Sequence, residues 1–287
     1  MRGVQGPDYR VNTSLENVAG KSFDKLRINK GQVMKTDFSK LPQVAPEYDL
    51  EPLLEMGAHF GHQTKRWHPS MAPFIYTQKN KVHIFDLAKT AEQLSLAYNY
   101  MYKLGTEGKE VIFVGTKRQA KGIVSKLAEE NGVMYIIARW LGGFLTNWEQ
   151  VSKSLQKMLR IEADQKEGKY ALYTKYEQTQ IEKDRARLER FFGGVRSLKK
   201  TPDALFIVDP KREDIAVEEA SQTGVEVIAL ADSDANADQL TIAIPANDDS
   251  AQMVEFVVSE MIKAYTEGKK NKSTKSEIIK PKQTAKV

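Results

Sequence analysis

From Lys89 onward the chain alternates short, unbroken apolar runs with longer segments whose apolar residues recur at steps of three and four. Few architectures accept that pattern. The spacing predicts helices over 89–105, 119–131 and 213–223, the last two closed by Gly132 and Gly224, and a final helix over 248–267. It predicts strands over 111–114, 134–138, 204–208, 227–230 and 241–244. A strand that is apolar on both sides has both faces covered, and strands joined by crossover helices run parallel. The expected body is therefore a doubly wound, Rossmann-like (flavodoxin-like) α/β sheet with helices on both faces.

Between Trp148 and Val195 the alternation stops. Trp148, Val151, Leu155 and Met158 repeat at steps of three and four, and Ile181, Leu188 and Val195 at steps of seven, with charged residues between them. Two helices joined near 165–175 would form an antiparallel coiled-coil hairpin whose tip carries Tyr170, Tyr173 and Tyr176. The expected organisation is an N-terminal extension over 1–47, a body over 48–146 and 199–268, a hairpin insertion over 147–198, and a basic flexible tail over 269–287. Upstream, 49–57 reads as a short helix. The runs 74–76 and 82–85 read as a β-hairpin whose turn presents Lys79 and Lys81.

The net charge of +5 conceals an asymmetry. The last nineteen residues carry seven lysines against Glu277, and residues 1–47 carry eight basic side chains against five acidic ones. The body between is net acidic, so contact with a polyanion has to run through local patches, with the basic arms adding attraction that reads no sequence. With no cysteine, thiolate nucleophiles and cysteine-ligated metals are excluded, and a metal would rest on the four histidines and carboxylates. No apolar run approaches a membrane span and no secretory signal is visible, which points to a cytoplasm or an organelle matrix.

The segment Arg139-Trp140-Leu141-Gly142-Gly143-Phe144-Leu145-Thr146-Asn147 follows a strand, where α/β proteins place working loops. An arginine fork and a tryptophan face suit binding more than bond-making, although Trp140 and Leu141 could equally fill core. Neither G-x-G-x-x-G nor G-x-x-x-x-G-K-[ST] occurs. The nearest phosphate loop is Val114-Gly115-Thr116-Lys117-Arg118, at a strand-to-helix junction. There is no G-x-S-x-G elbow and no H-E-x-x-H. His59 and His62, on one side of a helix turn, are weak metal candidates with Asp209, Asp232 or Asp234. Asp203, Asp209 and Asp232 read more simply as caps and turn formers than as acid–base groups.

Several strings then agree in order and spacing: Gly61-His62-Gln63-Thr64 with Trp67-His68-Pro69 and Met71; Asn80-Lys81-Val82-His83-Ile84; Phe113-Val114-Gly115-Thr116-Lys117; Arg139-Trp140-Leu141-Gly142-Gly143 with Leu145-Thr146-Asn147; Gly193-Gly194-Val195; and Pro202-Asp203-Ala204. Together they closely resemble the motifs of the small-subunit ribosomal protein two family, in its bacterial and organellar form. The resemblance covers roughly 48–268. It implies a Rossmann-like body with an inserted hairpin, assembly into the small ribosomal subunit, contact with its rRNA and neighbouring ribosomal proteins and, in bacteria, docking of ribosomal protein one. It implies no catalytic residue, no cofactor, no small-molecule substrate and no membrane partner. A bacterial cytoplasm is the expected compartment, an organelle ribosome the second choice.

The expected rRNA contacts are Gln63, Lys65, Arg66, Trp67, Lys79, Lys81, Lys117, Arg118, Arg139, Trp140, Asn147, Lys199 and Lys200, most of them on loops beside glycine or tryptophan. The competing function is a nucleotide-binding or hydrolytic α/β enzyme carrying a coiled-coil arm. The missing phosphate-loop and catalytic motifs favour the ribosomal reading.

Overall fold

A computed structural model describes residues 38–278, with side chains as far as Lys272. Expectations for residues before 38 and after 278 lie outside that range. Contacts divide the chain after Lys40, and the unit that begins at Leu41 carries both sheets.

The main sheet contains β4 (Val111–Val114), β5 (Met134–Ile136), β6 (Ala204–Val208), β7 (Glu226–Ala231) and β8 (Ile242–Pro245). All pairings are parallel, in the order β5-β4-β6-β7-β8. Chain order reverses between β4 and β6, as in a flavodoxin-like sheet. Every residue of β4, β6 and β8 is buried, which is why these runs show no polar alternation.

Side chains alternate between two cores. Ile112, Val114, Leu205 and Ile207 join a cluster with Ala216, Val217 and Ala220 of α6 (Asp214–Thr223). Phe113 and Phe206 turn the other way, and Phe113 meets Tyr265 of α7 (Ala251–Ile278). On that second face α7 packs beside α2 (Leu87–Glu107) and α3 (Arg118–Asn131). A Cβ on Gly105 would lie 2.3 Å from the Tyr265 carbonyl, and one on Gly268 would lie 2.2 Å from that of Tyr102, so glycine sets how closely α2 and α7 approach.

The helix over 213–223 and the final helix are present, but α7 continues to Ile278, into the stretch expected to be flexible tail. Lysine and glutamate are good helix formers, and the apolar stripe of α7 holds the first part in register.

The second sheet is small and antiparallel, ordered β1-β3-β2, from β1 (Phe60–Gln63), β2 (Ile75–Lys79) and β3 (Val82–Phe85). The β2–β3 hairpin was legible. Strand β1 was not, because Phe60-Gly61-His62-Gln63 has no apolar alternation and is a strand only through its pairing with β3. Helix α1 (Leu50–Glu55) precedes it.

The inserted segment forms α4 (Trp148–Lys166) and α5 (Lys175–Phe192), joined by a 3-10 turn over Lys169–Leu172. Helix α4 buries Val151, Leu155 and Met158 of the expected stripe and Ile161 beyond it, while Trp148 is half-buried. Thr174 and Glu177 form a reciprocal capping box that starts α5. Val195 lies in the 3-10 turn after α5, not in its stripe. Val151, Leu155, Met158 and Phe192 belong to the same cluster as Trp140 and the α6 side of the sheet, so the hairpin's root shares the sheet's core. At the far end Leu172 is 96% exposed.

Candidate nucleic-acid interface

The two-residue turn between β2 and β3 places both Asn80 and Lys81 at positive φ, 52° and 63°. This is the twist that fits a tight hairpin, and it normally selects glycine at the second position. The Thr64 N–H donates to the Lys81 carbonyl at 2.9 Å, continuing the Gln63–Val82 pairing of β1 with β3. That bond brings two sequence-distant loops together. Gln63, Lys65, Arg66 and Trp67 come from one, Lys79 and Lys81 from the other, and all six side chains are exposed. Trp67 is 42% exposed, its ring 5.4 Å from that of buried His83. Tyr76, 76% exposed on β2, adds an aromatic face that sequence reasoning missed. Behind the patch, the His68 N–H donates to the Ser233 carbonyl at 2.8 Å, fixing the loop against the end of β7.

The carboxyl ends of the main sheet treat their cations differently. Lys117 is buried, its ammonium 2.7 Å from Asp248, 2.7 Å from Asp249 and 3.4 Å from Asp209. Burial opposes its charge, but the carboxylates, Asp248 foremost, outweigh burial and raise its pKa. Burial and the neighbouring Asp209 and Asp232 lift Asp248 to about 7, against the pull of Lys117. An ammonium held this way is not available to a phosphate, which corrects the expectation for Lys117. Nor does Gly115 open a cradle for one, since a Cβ there would sit 2.7 Å from Val124 and the glycine serves the packing of α3. Arg118, at the first turn of α3, and Arg139 are exposed.

Trp140 is buried at 3% exposure, within ring contact of Phe144, so its expected role as a stacking face is corrected to core. Its indole Nε1 donates to Glu219 of α6 at 3.3 Å. The same carboxylate accepts the backbone N–H groups of Gly143 (2.7 Å), Leu145 (2.9 Å) and Thr146 (3.3 Å). Burial would raise the Glu219 pKa, but these donors outweigh it and the pKa is lowered. Glu219 thus shapes the loop that launches α4. Asn147 is exposed at the N-cap position of α4 and its side chain makes no cap bond. Lys199 and Lys200 lie before β6, at the opposite, amino end of the sheet, where Lys200 pairs with Asp203 at 2.9 Å. The structure brings them to neither group.

The histidines separate. His62 lies in β1 and His59 just before it, so they do not share a helix turn. His62 Nδ1 is 2.9 Å from Asp232, and one ligand atom each from His62, Asp232 and Asp248 lie within 4.8 Å of one another. The hydrogen bond that the His62 ring donates to Asp232 lifts His62 to about 9, against burial and with help from the Asp232, Asp234 and Asp248 charges. One imidazole and two carboxylates suit a divalent cation of the zinc type. His59 stands outside this group, and burial lowers its pKa. Asp248, the member of this candidate set that sequence reasoning missed, reaches it through the β8–α7 connection.

Residues 53–268 match the model of the family described as "Ribosomal protein S2". The chain belongs to the ribosomal protein S2 family. It is 40% identical over 224 residues to the small ribosomal subunit protein uS2 of a Picosynechococcus species, covering 78% of this chain and 88% of that relative. It is 42% identical over 219 residues to that of Geotalea uraniireducens, covering 76% and 86%. The parallel sheet with helices around it agrees with the fold that the family resemblance implied. The S2 match contains every candidate cation of the loop patch and of the sheet's carboxyl edge, while the last ten residues of α7 lie beyond it. No helix among the described residues is long and apolar enough to cross a membrane.

Proposed function

We propose that this chain is a non-catalytic component of the small ribosomal subunit that holds rRNA through the patch of Gln63, Lys65, Arg66, Trp67, Lys79 and Lys81, with Arg118, Arg139 and Asn147 as further contacts. The observation that carries this reading is the Thr64–Lys81 hydrogen bond, which gathers four exposed cations and an exposed tryptophan from two loops of a net acidic body. Cations on loops meet phosphates, and exposed rings meet unpaired bases. The relatives' names supply the assembly, since both are small ribosomal subunit proteins. The protein partners under this reading are neighbouring subunit proteins and, in bacteria, ribosomal protein one. The compartment is the one that holds the ribosome, a bacterial cytoplasm first. Lys117 and Trp140 are left out because their polar groups are engaged inside the fold, and Lys199 and Lys200 act as a separate contact if they act at all. Against the enzyme reading, Gly115 packs on Val124 and Lys117 is held by carboxylates, so neither offers a phosphate cradle after β4. The test is sedimentation of the tagged chain with small subunits across a salt series. Co-sedimentation that persists into high salt and weakens in the Lys79→Gln/Lys81→Gln variant is expected. A chain that stays at the top of the gradient at every salt concentration defeats the reading.

A further inference from the structure

The carboxyl edge of the main sheet opens a cavity of about 380 Å³ where chain order reverses between β4 and β6. Open α/β sheets bind ligands at such a switch point, and the volume is at the lower end of the roughly 300–1,000 Å³ of small-ligand pockets. Thr116, Arg139, Trp140, Arg212, Glu213 and Ile215 line it. Arg212 donates through Nε to the Thr116 hydroxyl at 3.3 Å, and that hydroxyl donates to Glu213. Beyond that bond and the nearby Glu213 charge, no hydrogen bond or ion pair among the described residues engages the terminal nitrogens of Arg212 or the guanidinium of Arg139. The Glu213 charge offsets part of Arg212, and the remaining guanidinium donors of both residues are the groups a bound anion would satisfy.

The acids of the cavity are already engaged. Glu213 is buried and accepts from Thr116, and Asp214 accepts the Ile215 N–H at 2.8 Å. The remaining wall is apolar, with Ile215 44% exposed. We propose that this cavity takes one unpaired nucleotide unit, its phosphate ester held by the forks of Arg139 and Arg212 and its base against Ile215. A duplex presents its phosphates on a convex ridge and cannot enter, whereas a splayed single-stranded residue can. Planar forks favour phosphate oxygens in bidentate geometry, which is why arginine rather than lysine lines the site.

The inference takes RNA as its source from the rRNA reading, while the cavity and its two forks stand apart from it. The test uses the full chain with three probes: a five-nucleotide oligoadenylate, adenosine monophosphate and inorganic phosphate. Arg212→Gln and Arg139→Gln are each expected to weaken oligoadenylate binding about tenfold and to lower its salt slope by about 0.7, the value for one phosphate contact on a single strand. Arg212→Lys should recover only part of the loss. If adenosine monophosphate displaces the oligomer while inorganic phosphate does not, the same site takes free nucleotides as well as RNA, and the proposal holds. Unchanged binding of every probe in the Arg139→Gln/Arg212→Gln double variant overturns it. The Lys79→Gln/Lys81→Gln variant separates the two claims: a loss there, with none in the arginine variants, keeps the rRNA patch and rejects the cavity.

Discussion

Lys81 and Lys117 are both lysines at strand ends within the span matched to the S2 family, and they meet opposite fates. Lys81 sits in a two-residue turn between neighbouring strands and stays exposed. Lys117 leaves β4 at the carboxyl edge of a parallel sheet, where the ends of β6 and β8 deliver Asp209 and Asp248 from far along the chain. An antiparallel turn has no such convergence of strand ends. The difference teaches that a cation's role depends less on its loop than on how many carboxylates the topology brings to it.

The largest effect expected from this comparison is at Lys117. Lys117→Met removes the ammonium and leaves Asp248, whose side chain is 1% exposed, beside Asp209 and Asp232 with His62 alone to offset the three carboxylates. Breaking a buried pair from one side costs about 3–5 kcal/mol. Denaturant unfolding should show that loss, against less than about 0.5 kcal/mol for the exposed change Lys81→Gln. Equal effects in the two variants would erase the distinction between them.

Glu219 is the anionic counterpart of Lys117, a buried charge answered by the chain itself. Glu219→Gln removes the charge and replaces one acceptor with a donor facing backbone N–H groups, which should cost about 1–3 kcal/mol. The sign with pH follows from its lowered pKa. The carboxylate's contribution is complete above the ordinary glutamate value of 4.5 and is lost as pH falls through the lower, folded value. The gap in stability between wild type and Glu219→Gln should therefore narrow in acid, as unfolding measured at neutral pH and below 4 would show. A constant gap would mean that the oxygens, not the charge, hold the loop.

These contrasts also mark what the chain's letters reveal. β4 and β6 were legible because burial on both faces leaves an unbroken apolar run, and α4 because its stripe repeats at helical steps. The carboxylates around Lys117, and the Glu219 that draws Trp140 inward, were not. Asp248 lies 131 positions from Lys117 and Glu219 lies 79 from Trp140, and no local pattern encodes such meetings. Strand β1 was hidden for the same reason, since its partner rather than its composition makes it a strand. The loop cations Lys65, Arg66, Lys79 and Lys81 were readable singly, but their grouping depended on one backbone bond between Thr64 and Lys81.

The smallest effect is the sharpest, because it runs in the opposite direction. A lysine at φ 63° occupies a conformation that L side chains adopt at a cost of roughly 1–2 kcal/mol and glycine adopts freely. A lysine in a turn position that favours glycine is a candidate for function, which substitution at Lys81 tests. Lys81→Gly should therefore stabilise the chain, by about 1 kcal/mol, since glycine's greater freedom when unfolded cancels part of the relief. The same substitution should weaken association with small subunits and lower its salt slope by about 0.7–0.9, the mark of one lost phosphate contact. Lys81→Gln, which keeps the backbone cost and removes only the charge, should lower the slope equally with no gain in stability. If Lys81→Gly stabilises and association is untouched, the turn is merely strained, and Lys81 leaves the interface as Lys117 has.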